Sequence, residues 1–394
     1  MSNGASTGIA RWQTPSLIVG ILGLLVSGVG VFLGATQDVA RGYLTSYIYW
    51  FSIAAGCLAV MMLQYVTGGE WGLMVRRPLG AAARTMPLML VLFIPIFAGM
   101  KWIYPWMSAE LMREEAMHAK AAWLNPNRFI IFTLIYFAFF IIWAWRIRAL
   151  SEKFYENRAP ETDLKRRGWA AAGLLLSVLI LTFASIDWMM TLEPSWVSTM
   201  YGITFVVGCG LSAFAFVTFF LTRLADTEAL QGVVKPSHFR DLGNLMLAFT
   251  MFYTYTAFSE FLLIWYGNIH EEIPHYLWRE HGGWGVLAAL VVLFHFFLPF
   301  FLLLMRGIKD RPQTIGWVTI ILLVMRYVTI YWTIAPSWTR DVFHYSIWCV
   351  TTLVGIGGIW LWAFIGQLKG QTIIPIHETW VEEAIREGAV KIHA

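Results

Sequence analysis

Charge is scarce in this sequence. Asp, Glu, Lys and Arg make up 13% of its 394 residues, against roughly 25% in soluble globular chains, which excludes an ordinary water-soluble domain. Cysteine is scarcer still: Cys57, Cys209 and Cys349 each lie inside an apolar run. No CxxC pair, CxxCH haem-attachment motif or iron–sulfur spacing is present, so no covalently bound redox centre and no metal site are expected. The three thiols read as small buried hydrophobes. Of nine histidines, only His295 falls in the middle of an apolar run, with His344 at the start of the last. A membrane b-type haem needs two facing histidines, so none is expected, and His295 reads as a packed polar residue. A net charge of +4, sorted along the chain rather than clustered, gives no reason to expect nucleic acid as a partner.

What is abundant is apolar length. Hydrophobic residues reach 58% and aromatics 16%, and runs near the 20 residues needed to span about 30 Å of hydrocarbon fall at about 17–34, 47–66, 85–104, 129–147, 169–188, 202–222, 242–266, 284–305, 314–333 and 344–366. The runs are continuously apolar rather than alternating, so they read as helices and not barrel strands. The expected fold is an all-α polytopic membrane protein of ten transmembrane helices. The first run is longer than a signal-peptide core and has only Arg11 before it, so it reads as a retained anchor. With the N-terminus on one side, 20 of the 28 Lys and Arg fall on that side. The positive-inside rule then puts both termini, and the 367–394 tail, in the cytoplasm. The basic segment 146–167 reads as a solvated loop, and the external segment 105–128 as able to hold a short interfacial helix around Met107 to Lys120. Trp102, Trp106, Trp188, Trp196, Trp265, Trp332 and Trp338 fall at expected outer ends, where indoles favour the headgroup level.

The chain carries an internal echo. Ile186-Asp187-Trp188 continuing to Glu193-Pro194-Ser195-Trp196 matches Ile330-Tyr331-Trp332 continuing to Ala335-Pro336-Ser337-Trp338, four helices later. A parallel repeat of two four-helix bundles, helices 2–5 (47–188) and 6–9 (202–333), would produce this, with helices 1 and 10 peripheral. Gly30 and Gly34, and Gly355, Gly357 and Gly358, suit close helix contact.

A charge at the centre of a membrane helix costs at least about 2.5–3.5 kcal/mol, which makes each intramembrane ionisable group a functional candidate. Glu260, Arg326, Asp187 and Lys101 all fall toward the external face. Tyr253, Thr256 and Glu260 share one helix face, a stripe suited to waters and a proton path or to interhelical hydrogen bonds. Arg326 stays charged and requires an acceptor; Asp187 and Glu260 are the candidates. That grouping reads either as a buried ion pair or as a polar pocket for a lipid-soluble redox carrier, in which a carboxylate beside Arg326 takes a proton.

The string Phe258-Ser259-Glu260-Phe261-Leu262-Leu263-Ile264-Trp265-Tyr266-Gly267-Asn268, with Glu271-Glu272 and Gly282-Gly283-Trp284, resembles the NrfD-like quinol-interacting membrane subunits. Ser185 to Pro194, Tyr104-Pro105-Trp106, Lys120 to Asn125 and His295 to Phe300 look like the second such subunit, the ActF type, of alternative complex III, a bacterial quinol:cytochrome c oxidoreductase. The resemblance implies an inner-membrane subunit that meets menaquinol or ubiquinol. Its implied partners are a paralogous NrfD-like subunit, an iron–sulfur subunit, multihaem and monohaem c-type cytochromes, lipids and a terminal oxidase. Haems and iron–sulfur clusters are implied in those partners only. The chain departs from the family at Glu260, where Gln is expected, and at Thr329, near which an acid is expected. Two rival readings are a structural or proton-conducting subunit without quinone and a secondary transporter.

Overall fold

The computed structural model describes residues 8–225, 234–340 and 342–369. Among them there is no strand, and ten helices are long and apolar enough to cross a membrane: α1 Gly8–Phe32, α2 Thr36–Thr67, α3 Arg76–Ile103, α4 Pro126–Asn157, α5 Pro160–Leu192, α6 Met200–Leu224, α7 Pro236–Gly267, α8 Trp284–Leu304, α9 Pro312–Ser337 and α10 Ile347–Leu368. The chain is an all-α polytopic membrane protein, the architecture in which every segment satisfies its own backbone groups in lipid. All ten expected runs fall on these helices. The C-terminal tail from residue 370 onward lies outside the described residues.

Several helices outrun their apolar stretches. The 146–167 segment is not a loop: α4 continues to Asn157, Arg158 turns in the left-handed region at φ 49°, and α5 restarts at Pro160. Charge pairs one turn apart explain the extension, with Arg148 on Glu152 at 2.7 Å and Arg167 on Asp163 at 2.8 Å, a pattern that supports exposed helix. Proline at the first helical position suits the restart. Between α3 and α4, the single interfacial helix expected around Met107 to Lys120 is instead two 3₁₀ turns, Pro105–Met107 and Leu111–Arg113, and the one-turn helix Glu115–His118.

Burial ranks the helices. In α2, 83% of the most apolar window is buried inside the protein, and in α6 72%, whereas α8 reaches only 17%. Helix α2 is therefore the central post, packed on α3, α5, α6, α9 and α10. Helices α2 to α5 pack among themselves, α6 packs on α7 and α9, α8 leans on α7 and α9, and α1 lies along α10. The α1–α10 approach is backbone-close: a Cβ on Gly358 would meet Gly20 N at 2.5 Å. Gly34, by contrast, lies past the end of α1 at φ 88° and serves a turn.

The tryptophans are not a uniform belt. Trp188, Trp106 and Trp196 are buried, while Trp265 is 67% exposed. Trp188 fills the centre of the first group of helices, its ring 4.9 Å from those of both Phe51 and Phe93, with its indole N–H on Thr133 Oγ1 at 3.0 Å. A buried indole needs such an acceptor, and aromatic contact outweighs the interfacial preference here. All three cysteines are buried.

Candidate functional site

The second group of helices is hollow where the first is filled. A cavity of about 700 Å³ lies among α6, α7, α8 and α9, walled mainly by apolar side chains. Its rim includes Met251, Tyr255 and Phe258 of α7 and Val292 and Phe297 of α8, all at least 43% exposed. Helix α7 meets α8 chiefly along Leu298–Leu304, so the cavity opens sideways toward lipid above that contact. Such a concave, mostly apolar space with a few convergent polar groups is the usual form of a small-molecule site.

The polar groups come from three helices and one loop. Helix α9 supplies Arg326, 3% exposed, its carbon Cζ 5.6 Å from the Tyr253 ring and 5.7 Å from the Phe205 ring. The guanidinium lies against Gly208 of α6, where a Cβ would stand 2.3 Å from Nη1; only glycine leaves room for it. Arg326 Nε and Nη2 are buried without a hydrogen-bond partner, and the residue makes no ion pair among the described residues.

Helix α8 supplies His295 through a local distortion. Pro299 has no N–H to give the carbonyl of residue 295, and its ring crowds that carbonyl. The helix widens to a π-turn over Val292–Phe297, a deformation frequent at functional sites. The extra residue turns His295 inward, 3% exposed and 5.1 Å from the Tyr253 ring. Its Nδ1 lies 2.9 Å from Thr329 Oγ1, which is itself 2.7 Å from the Met325 carbonyl; His295 Nε2 is buried without a partner.

At the far end of the cavity, Glu260 of α7 is buried and accepts from Ser198 Oγ. Beside it, the short helix Pro274–Glu280 brings in His275 and Arg279. Arg279 Nη2 donates to Glu193 Oε1 at 2.6 Å and to the Thr333 carbonyl at 2.6 Å, His275 Nδ1 lies 2.7 Å from Glu193 Oε2, and Ser337 Oγ donates to Glu193 at 2.8 Å. Burial by itself would raise the Glu193 carboxyl, but Arg279, with His275, more than offsets it and holds the group below the usual carboxylate range. Burial first, and the Arg279 charge second, push His275 down to about 4. A neutral His275 therefore donates Nδ1–H to Glu193, its ring stacked 3.6 Å from that of Trp196.

The structure regroups the candidates expected from sequence. Glu260, Tyr253, His295 and Arg326 line one cavity. Asp187 does not pair with Arg326: it is fully buried in the first group of helices, where Arg128 Nη1 donates to Oδ1 at 2.8 Å and Tyr136 to Oδ2 at 2.7 Å. Glu260 does not pair with Arg326 either. Thr256 is buried, but its hydroxyl turns back to the Tyr253 carbonyl at 2.9 Å and stays off the cavity wall. Lys101 is exposed, 4.2 Å from the Trp102 ring, and belongs to the surface. Not legible in the sequence are the role of Arg128, which serves Asp187, and the use of Glu193 as the shared acceptor of Arg279 and His275. Glu193-Pro194-Ser195-Trp196 is one half of the internal echo, and the other half supplies Ser337 to the same carboxylate. Among the described residues, no group of three His, Cys, Asp or Glu side chains is arranged to hold a metal ion. Compared with models of known protein families the chain matches none, and comparison with curated proteins likewise finds no match.

Proposed function

We propose that this chain is a membrane subunit of a quinol-oxidising respiratory complex in the bacterial inner membrane, and that the α6–α9 cavity admits the ring of a quinol. The observation that carries this reading is the sideways-opening apolar cavity with a buried guanidinium on its wall, two of whose nitrogens, Nε and Nη2, have no hydrogen-bond partner. A lipid-soluble ligand enters through hydrocarbon, and a polar head gives Arg326 Nε and Nη2 the acceptor they lack, since a buried donor left unmet costs about 1–3 kcal/mol or more when charged. The resemblance of the α5, α7 and α8 strings to NrfD-like subunits adds the respiratory context. In that context electrons pass to iron–sulfur and haem centres in partner subunits, and this chain's own residues hold the ligand and its protons. Glu260 and His295 stand on the cavity wall as groups able to take a proton, with His275 and Glu280 at the end beside Glu260. Both termini then face the cytoplasm and the Glu193–Arg279 cluster the periplasm.

Purification in mild detergent tests the assembly. The expected outcome is co-purification with a multihaem c-type cytochrome visible in the reduced-minus-oxidised spectrum, and quinol-dependent reduction of that haem that falls at least about tenfold in Arg326→Gln, one charged hydrogen bond being worth roughly 1.5–3 kcal/mol. A chain that purifies alone, without haem, overturns the respiratory reading. A complex with undiminished turnover in Arg326→Gln leaves the chain a structural subunit.

A further inference from the structure

The hydroxyl of Thr329 has one hydrogen and two neighbours. Its bond to the Met325 carbonyl, at 2.7 Å, is the turn-back to the i−4 carbonyl common for threonine in helices, and a carbonyl can only accept. With its hydrogen so placed, Thr329 Oγ1 meets His295 Nδ1 at 2.9 Å as an acceptor, and Nδ1 therefore carries the ring proton. In a neutral imidazole the other nitrogen is then a bare lone pair. That nitrogen, Nε2, is the one buried at the cavity without a partner. Across the same Tyr253 ring, Arg326 offers Nε and Nη2, donors also without partners. The wall thus presents one acceptor and one set of donors, both unmet and both more than nine-tenths buried.

We infer that His295 is the acceptor for a ligand hydroxyl, fixed in that tautomer by Thr329, while Arg326 donates to oxygen on the same head group. The site is complementary to an aromatic diol carrying an apolar tail and discriminates against the same ring with its hydroxyls capped. This deepens the quinol reading of the cavity and rests on it. Thr329 is a positioning residue: it touches His295, not the ligand. The acid that the resemblance leads one to expect near this position would draw the Nδ1 proton more strongly; a threonine sets the tautomer without adding charge beside Arg326.

The test uses two probes of equal tail length, 2-decylhydroquinone and 2-decyl-1,4-dimethoxybenzene, titrated anaerobically onto the purified protein with its co-purifying partners and followed by quenching of intrinsic tryptophan fluorescence. The hydroquinone is expected to bind about tenfold or more tightly than the ether, since an ether cannot donate and leaves Nε2 unmet. His295→Phe should abolish that preference. Thr329→Val should shrink it severalfold and Thr329→Ser restore it, which a purely space-filling role for Thr329 would not do. If both probes bind the wild type equally, or if the preference survives in His295→Phe or Thr329→Val, the assignment of His295 is overturned while the cavity keeps its quinol reading. If neither probe binds the wild type, the quinol reading itself fails.

Discussion

Asp187 and Arg326 face the same difficulty, a charge within hydrocarbon, and meet it differently. Asp187 is satisfied by Arg128 and Tyr136 and has nothing left to offer a ligand. Removing one partner of such a pair strands the other, at about 3–5 kcal/mol; Arg128→Leu should therefore lower the thermal midpoint markedly with no specific effect on probe binding, measured by scanning fluorimetry and titration. Arg326 is the reverse case. Gly208→Val should displace its guanidinium, weakening hydroquinone binding while leaving the midpoint within a few degrees, because the clash falls on the far end of a flexible side chain that has a cavity to move into and no ion-pair partner to lose. Both charges were legible in the sequence as costly residues. Their partners were not: depth along a helix can be counted from sequence, but rotation about its axis places Asp187 in one group of helices and Arg326 in the other.

The buried cluster at Glu193 makes stability depend on acidity. His275 lies at about 4 when folded against an ordinary 6.5, so between those values the unfolded chain holds more protons. Stability is full above about pH 6.5 and declines as pH falls toward 4, and the lowered Glu193 carboxyl extends the loss in the same direction below about 4.5. The decline due to His275 should be on the order of 2–3 kcal/mol. His275→Asn, which keeps a donor for Glu193 but does not titrate, should flatten the midpoint-against-pH curve between 6.5 and 4; an unchanged slope would show that another group carries it.

Among the elements, α8 departs furthest from what its sequence pattern suggests. An apolar run of this kind reads as straight helix, and the widening at Val292–Phe297 follows only once the missing N–H of Pro299 is taken together with space in the neighbouring bundle. Pro299→Ala should return the segment toward α geometry, since alanine is about 3 kcal/mol more favourable than proline in a helix interior. The expected signature is a raised thermal midpoint together with weaker hydroquinone binding, as His295 rotates off the wall; a raised midpoint with unchanged binding would separate the widening from the site. In α1 the dependence is on close approach. Gly358→Leu cannot be accommodated against Gly20 and should release α1, read as new proteolysis or cross-linking within residues 8–32. The polar extensions of α4 and α5 show the opposite case: their charge suggests loop, whereas paired charges one turn apart sustain helix outside the hydrocarbon.

For the whole molecule, the count and class of helices were legible because each apolar run must hide its backbone from lipid, whatever its neighbours do. Which helices enclose solid core and which enclose space was not, because filling depends on side chains from different helices meeting, as Trp188, Phe51 and Phe93 do. The difference between the two groups has a consequence for tolerance to change. A void forfeits the dispersion contacts of the atoms that border it, so the α6–α9 half is held up in part by the dense half it leans on through α2 and α6. The apolar residues facing the hollow are accordingly free to vary with the guest they receive, and the chain can be retuned to a different occupant without endangering the fold, so long as the aromatic plug next door and the Glu193 cluster stay whole.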